Sequence, residues 1–152
     1  MGVAKMVPRA EVIVVTTPAV AAQKVAIRAV SMARKSYLRV AGVIENMSAF
    51  TCDHGETYAL FGEGGGQDLA DSAGVPLLGR VPIEPAVSAG GDAGEPAVLT
   101  GGPAADVFTA IAERIVTEAV PPAELAGCSA RMLEAAVAAL DALDEETPAE
   151  AS

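Results

Sequence analysis

The chain has 152 residues, is 51% hydrophobic but only 3% aromatic, and sets 10 basic against 20 acidic side chains for a formal charge of -10. That length holds one domain, or one domain with a tail, and the core must be built from Val, Ile, Leu and Ala rather than from rings. The acidic balance opposes nucleic-acid binding, which needs a positive footprint, and no apolar run approaches the ~20 residues of a membrane span.

The start, "MGVAKMVPRAE", has no signal-peptide core, and Cys52 and Cys128 are too far apart to read as a disulfide framework. The expected compartment is the reducing cytosol. Val12 to Val15 is a continuous apolar run of the kind found in a strand buried on both faces. Thr17 and Pro18 then suit a helix N-cap and first residue. In the helix that follows, Ala22, Val25, Ala26, Ala29, Val30 and Ala33 form one apolar stripe. A second apolar run, Val40 to Asn46, completes a strand–helix–strand unit whose strands should be parallel.

Beyond a loop holding Cys52 and His54, "GQDLADSAG" predicts a short helix stopped by Gly74. "VPLLGRVP" predicts a third buried strand, and "IEPAVSAGGDAGEPAVLTGGP" an irregular surface segment. From Pro103 the spacing of Val107, Phe108, Ile111 and Ile115 predicts a helix to about Glu118. Residues 119–123 read as a linker. Residues 124–152 read as an acidic amphipathic tail helix with Leu133, Val137 and Leu140 on one face and a frayed end. Three buried-type strands leave an uncovered sheet and an unpaired edge, so residues 1–118 look like the second part of a larger α/β domain.

"EVIVVTTP", "GVIENMSAF" and "LFGEGGGQDLADSAGVPLLGRVPIEPAVSAGGDAGEPAV", in this order, resemble the C-terminal half of the Mrp/ApbC family. These are MinD-like P-loop ATPases that carry iron–sulfur clusters. The resemblance implies a parallel sheet with flanking helices, a partial P-loop NTPase fold, with the C-terminal amphipathic helix added. It also implies that Asn46 contacts the adenine of ATP, an amide being able to pair with both edges of the base. Pro82, Ile83 and Glu84 would border that base. The family's G-x-x-x-x-G-K-[ST] loop and its "DxPPG" segment are absent from the 152 residues, so the chain should not hydrolyse ATP alone. A P-loop-bearing chain or a full-length homologue is the expected partner, in a homo- or hetero-dimer.

Relatives with a cluster site carry C-x-x-C in the Cys52 loop, two such pairs across a dimer holding one four-iron cluster. Here the loop reads Cys52-Asp53-His54-Gly55-Glu56, one residue short and lacking the second cysteine. Cys52 and His54 are the candidate metal ligands; a loop without metal and a reactive Cys52 thiol, which no neighbouring basic residue in the sequence favours, are the competing readings. Gly64 to Gly66 read as a turn rather than a phosphate cradle, and Cys128 as a packing residue of the tail. Two other functions remain open: a non-catalytic interaction or dimerisation module, and a truncated fragment without an independent role.

Overall fold

A computed structural model describes residues 10–119. The linker beyond Ala119, the tail at 124–152 and Cys128 lie outside the described residues. The Val-rich run forms β1 (Glu11–Thr16), followed by α1 (Val20–Lys35) and β2 (Arg39–Thr51). Next come β3 (Thr57–Tyr58), α2 (Gly65–Ala73) and β4 (Leu77–Ile83). Helices α3 (Pro85–Ala93), α4 (Ala97–Thr100) and α5 (Pro103–Arg114) complete the order, with a π-helical turn at Ile115–Ala119.

Strand β2 is central: it pairs in parallel with β1 on one side and β4 on the other, as the βαβ reading required. The register passes over Ala41 in β2, because Val12 faces Val40 whereas Ile13 faces Gly42. Gly42 has no room for a side chain, since a Cβ there would lie 2.6 Å from Leu78 Cγ. The sheet is covered on both faces. Val14, Val40 and Val43 pack with Ala26, Val30 and Ala33 of α1 and Leu69, Ala70 and Ala73 of α2. On the opposite face Ala41, Leu78 and Val81 pack with Ile111 of α5.

Three expectations need correction. Helix α1 begins at Val20 with Ala19 as N-cap and no side-chain cap, so Thr17 and Pro18 precede it. Gln23 Nε2 instead donates to the Pro18 carbonyl at 2.8 Å, which ties the first turn back to that segment. The Gly/Pro-rich stretch expected to be irregular contains α3 and α4. Its glycines permit close packing: Gly90 accepts the Glu95 N–H at its carbonyl, and a Cβ on it would lie 2.3 Å from the Glu95 oxygen. The helix expected to about Glu118 does form: α5 runs to Arg114 and continues as the π-helical turn Ile115–Ala119, and Arg114 Nη1 donates to the Leu77 and Leu78 carbonyls at 2.8 and 2.9 Å. Finally, β3 pairs antiparallel with the end of β2, making the sheet mixed.

Candidate functional site

The carboxyl ends of β1, β2 and β4 lie together, as parallel pairing demands, and most of the sequence-derived site residues fall there. Asn46 faces Val81 of β4, and regular pairing resumes only at Phe50 with Ile83. Between them Met47 takes a left-handed backbone, φ 57°, which is costly for a residue with a side chain. The half-buried Asn46 compensates: its Oδ1 accepts the Met47 N–H at 2.9 Å. That bond fixes which end of the amide is oxygen and leaves Nδ2 as the outward donor. Ser48 spans the broken ladder by donating to the Val81 carbonyl at 3.1 Å. Asn46 and Met47 line a groove of about 550 Å³ together with Thr16, Thr17 and the apolar residues of β1 and α1.

Beneath Asn46 is a residue that the sequence reading passed over. Glu45 is 2% exposed on β2. Its Oε2 accepts the Gly66 N–H at 2.6 Å, and its Oε1 lies 3.4 Å from Nε of Arg80, its cross-strand neighbour on β4. The carboxylate therefore occupies the N-terminus of α2, where the helix dipole favours negative charge. This explains the glycines. Gly64, φ 78°, turns the chain into α2. A Cβ on Gly65 would lie 2.4 Å from the Pro18 oxygen, and one on Gly66 2.5 Å from Glu45 Cβ. With Glu45 already at the Gly66 amide, a phosphate would meet a buried negative charge, so these glycines serve packing.

Pro82 and Ile83 end β4 rather than forming a loop, and both are half-buried beside the end of β2. Glu84 is directed elsewhere: its Oε2 accepts the Ala104 N–H at 2.9 Å and so satisfies an amide at the start of α5. A Cβ on Gly102 would come within 2.9 Å of Glu84 Oε1, so glycine is required there for the contact.

Cys52 and His54 sit on the turn of the β2–β3 hairpin. The Cys52 N–H donates to the Glu56 carbonyl and the Gly55 N–H to the Cys52 carbonyl, each at 2.9 Å. Cys52 is half-buried with a free thiol, and His54 is exposed. At the base of the turn Tyr58 donates its hydroxyl to Glu56; that bond to the carboxylate, with slight desolvation, raises the Tyr58 phenol above its ordinary pKa of 10.0. Among the described residues no group of three or more His, Cys, Asp or Glu side chains is placed to hold a metal ion. No helix among them is long and apolar enough to cross a membrane.

A family model described as NUBPL iron-transfer P-loop NTPase, of the ParA group, matches residues 1–116. The chain belongs to this family. The iron-sulfur cluster carrier protein of Mycobacterium tuberculosis is 48% identical over 106 residues, 66% of this chain and 28% of that protein. Human cytosolic Fe-S cluster assembly factor NUBP2 is 42% identical over 107 residues, 68% of this chain and 40% of its own length. The chain thus spans well under half of the relatives it matches. Among solved structures, the septum site-determining protein MinD from Pyrococcus horikoshii, complexed with Mg-ADP, superposes with a TM-score of 0.57 at 25% identity. That match covers 70% of this chain and 41% of MinD. The Pyrococcus furiosus cell division ATPase MinD gives the same TM-score at 24% identity. The fold is therefore part of the MinD-like P-loop NTPase fold.

Proposed function

We propose that the chain supplies the adenine side of a nucleotide site in an iron–sulfur cluster carrier, the phosphate side coming from a P-loop-bearing segment outside these residues. The observation that carries this reading is Asn46. Its oxygen is held by the Met47 amide, while its Nδ2 is free to donate to a ring nitrogen at the carboxyl end of a central parallel strand. Adenine offers such acceptors. Pro82 and Ile83 would give the base apolar surface, whereas Glu84 acts on the site only by holding α5. ATP, bound with that second segment, would supply the phosphoanhydride. This chain's part is to hold and select the base.

The similarity to an iron-sulfur cluster carrier protein and to a cytosolic Fe-S cluster assembly factor supports iron–sulfur clusters as the cargo. A four-iron cluster needs four protein donors. One chain offers at its hairpin a Cys52 thiol and the His54 imidazole, so cluster binding through this loop requires two chains facing each other. The cytosol would keep Cys52 reduced. Anaerobic reconstitution with iron and sulfide tests this part. The reading expects broad visible absorption and iron bound by chain pairs, both lost in Cys52→Ala. Absence of bound iron in the parent chain would remove the cluster from this loop.

A further inference from the structure

Strand β2 is apolar from Val40 to Ile44 and then places an acid, Glu45, inside the fold. A buried charge is costly even when paired, and a well-packed apolar side chain in its place is often as stable or more so. Stability alone therefore does not account for a carboxylate here. Its contacts point to another role. Oε2 accepts the Gly66 N–H of α2 at 2.6 Å, and Oε1 lies 3.4 Å from Arg80 Nε on β4, so one side chain joins three elements.

Glu45 also stands where the ladder ends. It is the last residue of β2 paired on both sides, with Thr16 of β1 and Arg80 of β4. Asn46 retains only Val81, after which β2 runs from Asn46 to Phe50 while β4 runs only from Val81 to Ile83. The left-handed Met47 lies in this excess of chain. With regular pairing interrupted, side-chain anchors must decide the direction in which β2 leaves the sheet. Ser48 holds the far side of the break through the Val81 carbonyl, and Glu45 holds the near side. Arg80 precedes Pro82 on the same strand, so this carboxylate ties the strand bearing Asn46 to the strand end bearing Pro82 and Ile83.

We infer that Glu45 is a positioning residue of the base site. Through Gly66 and Arg80 it fixes the end of β2, so that the Asn46 amide stays bonded to the Met47 N–H and presents Nδ2 outward. Glu45 does not touch the base: successive side chains of a strand point to opposite faces, and it acts on Asn46 through the backbone they share. The inference deepens the proposed function and rests on it for the ligand. The anchoring itself is readable without nucleotide. A Glu45 that only caps α2 would hold the helix and leave Asn46 indifferent to its loss.

The test follows the Asn46 side-chain amide by NMR in the ¹⁵N-labelled 152-residue chain, first without nucleotide and then with ADP. Glu45→Gln keeps an acceptor for the Gly66 N–H but loses the charge facing Arg80. Its Asn46 resonances should move toward those of an unconstrained asparagine before any ADP is added. At equal ADP they should then respond about tenfold less than in the parent, as loss of an interaction with a charged group implies. Arg80→Met, which removes a half-exposed guanidinium and leaves the Gly66 bond, should move them in the same direction, and it decides the matter if Glu45→Gln does not fold. Val30→Ala, a core truncation in α1, should lower the thermal midpoint and leave Asn46 in place. Variants at Glu45 and Arg80 that move only α2 amides overturn the inference. So does a Val30→Ala chain whose Asn46 moves as far, because lost stability alone would then displace it. Failure of the proposed function reads differently: ADP leaves Asn46 of the parent unmoved, while the nucleotide-free shifts still decide the role of Glu45.

Discussion

Gly66→Ala reverses the usual effect of its class. In an open helical position glycine to alanine stabilises by about 1 kcal/mol, because alanine loses less backbone freedom on folding. At Gly66 the added methyl would lie 2.5 Å from Glu45 Cβ and 2.9 Å from its Oε2. Glu45 is buried and cannot swing into solvent, so it must shift and give up its bond to the Gly66 amide. Losing a hydrogen bond to a charged group costs about 1.5–3 kcal/mol, and overpacking about 1–3 kcal/mol more. Less the helix-propensity gain, the net destabilisation is about 1.5–5 kcal/mol. Urea denaturation of the full chain followed by far-UV circular dichroism should show the midpoint falling by about 1–2 M. Gly91→Ala in α3 is the matched control, since a Cβ there meets nothing within 4 Å. It should be neutral or stabilising by up to ~1 kcal/mol. A Gly66→Ala chain as stable as the parent would refute the account of Glu45.

Glu84→Ala should lower stability by about 1 kcal/mol through the freed Ala104 amide, read as a reduced thermal midpoint; an unchanged midpoint contradicts the capping role. The chain has two tyrosines and no tryptophan, so in a Tyr37→Phe background tyrosinate absorbance reports Tyr58 alone. Its titration should lie above the ordinary value of 10.0 and move down in Glu56→Gln. The sign follows from the raised pKa: the bond contributes fully below the unfolded value and is lost as pH rises through the folded one. A Tyr58 titration unmoved by Glu56→Gln would remove the bond.

The βαβ unit was legible because Val12–Val15 and the stripe Ala26, Val30, Ala33 differ plainly in period. The start of α1 was misread because Thr17–Pro18 has cap chemistry, while the Pro18 carbonyl is in fact used by Gln23 one turn later. Helices α3 and α4 were missed because Gly90 and Gly91 look like breakers; Gly90 is small to let the Glu95 carbonyl approach. Two residues, Thr57–Tyr58, are too few to announce β3. Asn46 was named through the family resemblance, and the structure places it within β2 just past the last residue paired with β1. Glu45 was not legible, because its partner Gly66 is 21 residues away and only folding brings an acid in a buried strand to a helix N-terminus.

The central claim, that Asn46 holds adenine, is tested most directly by titrating ADP into the ¹⁵N-labelled chain and following the Asn46 side-chain amide by NMR. With the base contacts alone, binding should be weak, with a dissociation constant of about 1 mM. The account predicts that the Asn46 Nδ2 resonances, identified by their loss in Asn46→Ala, shift as ADP is added, and that GDP at equal concentration shifts them far less. An Asn46 amide that stays still while ADP moves resonances elsewhere, or moves nothing, would contradict it.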